Sequence, residues 1–301
     1  MTSRTLIVAL CVVLSFGVVC SQSPDEGDTP DLERGSQAPA SVKGRFEEVN
    51  IGKFDLVEGI AWPTDAGGTI VYVVSKPIAS SLLVSSPCPA TMARALAAVR
   101  DAGWVEVTLD SAGKSDYFGS GKPYGGSSRE KEVGGNYWSS TLRKAEGRVA
   151  GDVRHKERGG FEFDLPLSSP KVKEVSENDR MQGRQADASA PSPTEQQLTA
   201  AYGAAHAAAM KKDWTALLAA IGFDATQAAA IRALEGIDAD LEVFADRFLK
   251  PGAAGELEAR QGHGAVQGEG ANSKGAKFIN YYWFAPCQGK LVLYSITENP
   301  Q

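Results

Sequence analysis

Residues 278–298 read FINYYWFAPCQGKLVLYSITE: two β-rich runs separated by a tight turn, with Cys287 at the turn. They close a stretch in which helix signals come first and strand signals follow. Thr194 and Gln197 have the spacing of a capping box before an Ala-rich helix that runs to about Lys211. Asp213 is placed to cap WTALLAAIG, and Asp224 with Gln227 to cap ATQAAAIRALEG, which ends at Gly236. Asp238 is placed to cap ADLEVFADRFLK, where Leu241, Phe244 and Phe248 share one face. Four strand runs follow, GELEARQ, GAVQGEG, FINYYWFA and KLVLYSITE, the middle two joined by NSKG as a hairpin. Helices followed by an antiparallel sheet are an α+β pattern, with the helices laid on one curved face.

The chain upstream reads differently. Residues 44–167 are rich in strand signals: RFEEVNI, FDLVEGIAW, TIVYVVS, WVEVTLD, RVAGDVRH and FEFDLPL, with SAGK as a turn. One helix interrupts them, from Pro89 to about Asp101. Pro89 suits its first turn, Gly103 follows its end, and Met92, Leu96 and Val99 form a stripe. This half is expected to be an antiparallel β domain with one helix, so the whole chain is α+β. Residues 168–193 are nearly devoid of large apolar side chains and read as a linker to the last domain, 194–301.

Residues 1–20 combine Arg4 with the apolar run Thr5–Val19, which is short for a membrane span and suits a secretory signal peptide. Residues 21–42 are acidic and rich in Ser and Pro, and read as a disordered tether. Cys20, ending the apolar run ahead of that tether, is a candidate lipidation site of the bacterial lipoprotein kind. Gly17 and Val19 depart from the usual pattern there, and ordinary cleavage is the alternative. The expected location is therefore outside the cytoplasm, periplasmic or extracellular, with outer-membrane anchoring if Cys20 carries lipid. A lipid anchor is the sole membrane contact expected. A formal net charge of -6 and no basic run with interleaved aromatics argue against a nucleic-acid partner.

The hairpin GEGANSKGAKFINYYWF and the closing strand GKLVLYSITENP give residues 194–301 a resemblance to the cystatin-like, NTF2-like superfamily, as found in small secreted bacterial proteins and lipoproteins. The resemblance implies helices cradled in a bent sheet. The chain departs from the fuller family pattern in having no clear strand between its second and third helices. Residues 44–167 resemble only an uncharacterised secreted β domain.

Candidate chemistry is sparse. GSGKPYGGSS (119–128) fails as a phosphate loop, because Asp116 stands where Gly is required and Pro123 where the hydroxyl belongs; it is expected to be a mobile loop. His155, His206 and His263 show no metal spacing, and no cofactor or metal is expected. His263 is the candidate acid–base residue if the last domain is an enzyme, with Asp246 or Glu242 as its carboxylate. In the strand FINYYWFA, Tyr281 and Trp283 point one way and Tyr282 and Phe284 the other. One pair should be core. The other pair, Tyr281 and Trp283, is the candidate binding wall or domain contact. Trp62, Trp104, Trp138 and Trp214 read as packing residues.

Beyond Cys20 the sequence holds two cysteines, Cys88 and Cys287. In an oxidising compartment they form a disulfide if the fold brings them together. The alternative is a free thiol at Cys88, activated by the helix that follows it. With no nucleophile motif, the expected function is that of an exported, non-catalytic envelope protein that binds a protein, peptide or small ligand. The site would be the last domain or the groove between domains. The alternative is an NTF2-like enzyme using His263.

Overall fold

FDLVEGIAW is one run of strand signals, yet it forms two strands in two different sheets. The break falls at Val57, which is exposed and lies between β2 (Gly52–Leu56) and β3 (Glu58–Pro63). Residues 40–48, 52–122, 126–131, 137–145, 147–168, 190–249, 254–260, 262–271 and 277–300 are described by a computed structural model.

Sheet A has the order β2, β1 (Ser41–Glu48), β10 (Gly159–Pro166), β9 (Arg148–His155), β8 (Trp138–Ala145), antiparallel throughout. Sheet B is a meander of β3, β4 (Thr69–Val74), β5 (Trp104–Leu109), β6 (Ser115–Lys122) and β7 (Gly126–Lys131). All six residues of β4 are buried, so sheet B is covered on both faces there. Val71, Val73, Val105 and Val107 meet Phe46, Val153, Phe161 and Phe163 of sheet A in one apolar cluster. Phe46 and Phe118 join the two layers with ring centroids 5.2 Å apart.

The other face of sheet B carries Ile60, Trp62, Ile70, Tyr72 and Val74, which share a second cluster with helix α2 (Pro89–Val99). A short helical turn, α1 (Ser80–Leu83), precedes it. Ten of the eleven α2 residues are buried. The Met92–Leu96–Val99 stripe is one side of a helix enclosed all round, and the alanines supply the rest. Small side chains permit this, because they let neighbouring backbones approach without leaving voids.

The last third consists of α3 (Glu195–Met210), α4 (Trp214–Ala220), α5 (Ala225–Arg232), α6 (Ile237–Leu249) and sheet C. Sheet C is the antiparallel meander β11 (Ala254–Arg260), β12 (His263–Ala271), β13 (Lys277–Cys287) and β14 (Lys290–Pro300). The α+β order holds. Thr194 with Gln197 and Asp224 with Gln227 are full capping boxes, and Asp213 accepts the Ala216 N–H at 3.0 Å. Asp238 does not cap α6. It lies inside the first turn, because Gly236 (φ 72°) lets the chain begin the helix two residues earlier, and its carboxylate pairs with Arg232 at 3.1 Å.

Helix α2 belongs to the first half of the sequence, but it packs on β14 and α6 of the last third. Its residues share one apolar cluster with Tyr202, Phe244, Phe248, Tyr282 and Phe284. Polar contacts seal the same junction. Arg100, 4 % exposed, donates to Asp240 at 2.8 Å and to the carbonyls of Pro77 and Glu235, while Lys76 reaches the other Asp240 oxygen at 2.6 Å. Under α2, Arg94 pairs with the buried Glu106 at 2.6 Å and lies over the rings of Trp62 and Tyr72.

Gly119–Lys122 and Gly126–Ser128 are paired strand residues of β6 and β7, not the mobile loop expected of 119–128. Ladder hydrogen bonds override the Gly/Ser composition. The candidate lipidation site Cys20, the tether through residue 39, the greater part of the linker and the NSKG turn lie outside the described residues.

Candidate binding face

The interior between the helices and sheet C is packed. Tyr202, on α3, lies 4.9 Å from the Tyr282 ring and Phe248, on α6, 4.7 Å from it. Leu198, Phe244, Phe248, Val266, Tyr282 and Phe284 are all 0–1 % exposed. Gly264 is needed here because a Cβ on it would lie 2.8 Å from Leu198 of α3. The Tyr282 hydroxyl donates to the Arg247 carbonyl, which closes α6 onto the sheet. Burial pushes the Tyr202 hydroxyl up to about 12 and raises that of Tyr282 further.

His263 faces the other way. It shares a sheet face with Ala265 and Trp283, 5.9 Å from the Trp283 ring, and is 1 % exposed. Its two candidate carboxylates are on the exposed side of α6. Glu242 bonds Lys212 at 2.6 Å, and that bond holds its carboxyl below the ordinary range, while Asp246 is exposed. The structure therefore does not assemble the acid–base pair considered from sequence. A helix face and the far face of a sheet cannot aim side chains at one point.

Tyr281 and Trp283 are stacked side by side at 6.3 Å. Trp283 is 7 % exposed and its indole N–H donates to Thr297 at 3.1 Å, so it is a packed residue and Tyr281 is half-buried. Cys88 and Cys287 form a disulfide, with Cα atoms 5.9 Å apart across 199 residues of sequence. It ties the N-terminus of α2 to the β13–β14 turn. In that turn Gln288 and Gly289 both have positive φ, the form that suits the twist of a two-residue hairpin. His155 caps a turn by accepting the N–H groups of Glu157 and Arg158, and His206 stacks on Tyr202. The described residues contain no cluster of three or more potential metal-binding side chains.

A concavity of about 530 Å³ opens on the outer face of sheet A. Strand register builds it. One row across the sheet is Ser41, Asp164, Ala150, Arg143, and the next is Lys43, Glu162, Asp152, Thr141. Ala150 forms a low floor between longer side chains. Each carboxylate is held within the sheet: Asp164 by Arg148 at 2.9 Å, Glu162 by Arg154 at 2.8 Å, and Asp152 by the Thr141 hydroxyl. At the far end of the sheet Asp55 accepts from Arg45, and that bond lowers the Asp55 carboxyl and raises the Arg45 guanidinium. Lys43 and Arg143 are exposed and make no ion pair among the described residues. Sequence reading missed this face because its members come from four strands that only the register aligns. Comparison of the chain with family models, curated proteins and solved structures finds no match.

Proposed function

We propose that this chain is an exported, non-catalytic binding module of the bacterial envelope, with the outer face of sheet A as its recognition surface. The observation that carries the reading is the packed interior beneath sheet C, where rings of Tyr202, Phe248 and Tyr282 occupy the volume a ligand cone would need. On this reading the NTF2-like resemblance of residues 194–301 describes a scaffold, and His263 packs against Trp283 without a catalytic role. The disulfide between Cys88 and Cys287 supports an oxidising compartment, and the sequence of residues 1–20 supports export to it. None of the described helices is long and apolar enough to cross a membrane.

Two measurements test the proposal. Residues 1–40 fused ahead of an alkaline phosphatase reporter should give activity outside the cytoplasm, and a silent fusion would remove the export reading. A thermal-shift screen of small apolar and amphipathic ligands should leave the full chain's melting temperature unchanged. A ligand that raises it in parent but not in Tyr282→Phe or His263→Ala would relocate the site to sheet C.

A further inference from the structure

We infer that the concavity on sheet A docks an acidic peptide segment in extended conformation, with Lys43 and Arg143 as the two cationic anchors. The inference rests on the binding-module reading and names its ligand. Charge complementarity selects the occupant. All three carboxylates of the concavity are already engaged within the sheet: Asp164 pairs with Arg148 at 2.9 Å, and Glu162 and Asp152 pair with Arg154 at 2.8 and 3.8 Å, Asp152 also accepting from the Thr141 hydroxyl. Among the described residues Lys43 and Arg143 make no ion pair, and both remain exposed at opposite sides of the Ala150 floor. A partner that supplies two carboxylates completes the pattern of alternating charge.

The register sets their spacing. From Lys43 the row runs to Glu162, Asp152 and Thr141, and Arg143 is two residues further along β8. Three interstrand steps and that offset separate the two Cα positions by about 16 Å in a flat sheet. An extended peptide covers this in about five residues, and because alternate side chains face opposite ways, Glu or Asp side chains four positions apart share one face and reach both anchors. A peptide is favoured over an acidic polysaccharide because the outward positions of β1, β8, β9 and β10 carry no aromatic ring: they are Ser41, Lys43, Arg45 and Glu47, then Ser139, Thr141, Arg143 and Ala145, then Arg148, Ala150, Asp152 and Arg154, then Gly160, Glu162, Asp164 and Pro166. Phe163 borders the concavity from the core side but is 4 % exposed, so sugar rings have no open platform to stack on there. Exposed charge pairs are weak singly, so the contact is salt-sensitive and of modest affinity.

The test is fluorescence anisotropy on the oxidised full chain, with a labelled Ser/Thr-rich peptide carrying Glu at positions i and i+4. A Gln-substituted peptide is the neutral control. The Glu peptide should bind at low salt and be released by raising the salt. Lys43→Glu with Arg143→Glu should weaken it by about 10-fold or more, and Lys290→Glu, on an exposed turn, should not. Equal binding of the Gln peptide, or equal binding by the double variant, overturns the inference. So does binding of polygalacturonate at this face with no peptide binding, which would make the ligand a polysaccharide. In each of these results the export assay and the ligand screen on sheet C stand independently, so loss of the peptide inference is distinguishable from loss of the binding-module reading.

Discussion

Replacing Cys88 and Cys287 together by serine removes the one covalent link between α2 and the last hairpin without leaving an unpaired thiol. The link closes a loop of 199 residues. In the chain-entropy treatment a loop of that length withholds about 18 cal/mol/K from the unfolded chain, or about 5 kcal/mol at 25 °C. For about 220 described residues the unfolding entropy near the midpoint is about 0.46 kcal/mol/K, so the melting temperature should fall by up to about 12 °C. Residual structure in the unfolded chain reduces this. The native state should be nearly unchanged, because α2 is held by its buried apolar surface and by Arg100 on Asp240, both independent of the bond. The assay is a thermal melt by far-UV circular dichroism, paired with a urea titration and near-UV spectra of the native state. A lower midpoint, a larger urea m-value and an unaltered near-UV spectrum are expected. A midpoint within about 1 °C of the parent would refute the unfolded-chain argument. Loss of the near-UV signal in the native state would show instead that the bond holds the packing together.

Arg94→Met or Glu106→Gln should each cost about 3–5 kcal/mol in urea unfolding, because either leaves its partner charged and buried beneath α2; the double replacement should recover a large part of the loss. Phe248→Ala should cost about 3–5 kcal/mol by emptying the packed interior against Tyr282 and Tyr202. Asp213→Ala should cost about 1 kcal/mol by freeing the Ala216 N–H at the start of α4. Alkaline pH should unfold the protein. The folded Tyr202 hydroxyl titrates near 12 against 10.0 unfolded, and that of Tyr282 is raised further. Both groups therefore contribute fully below pH 10, and their stabilisation is lost as pH rises above it. Phenolate absorbance at 295 nm should show these two tyrosines ionising only with loss of structure, and early ionisation of both would contradict their burial.

The last third was legible because its signals are local. Caps at Thr194, Asp213 and Asp224 and the alternation in FINYYWFA each act within a few residues, and the structure places them as read. The break at Val57 was not, since no Gly or Pro falls at it and strand signals continue across it. Strands β7 and β8 escaped notice for the opposite reason. SSREK and SSTLRKA offer little apolar alternation, and their pairing with β6 and β9 is decided by neighbours. Helix α2 gave a stripe of three residues, which says nothing of burial on its alanine side. The charged face was invisible in principle, because Lys43 and Arg143 lie 100 positions apart and meet only through two intervening strands.

Enclosure of α2 fixes the order in which the chain can finish folding. The helix emerges about 190 residues before β14, in synthesis and in passage across a membrane alike. Its apolar side has sheet B to rest on, but the remainder lacks α6 for about 140 residues of that interval and β14 for all of it. A chain truncated ahead of Lys290 is thus expected to be a client of chaperones and proteases, not a smaller working protein. The last eleven residues of secondary structure, Lys290–Pro300, act as a quality checkpoint for a helix made two hundred residues earlier.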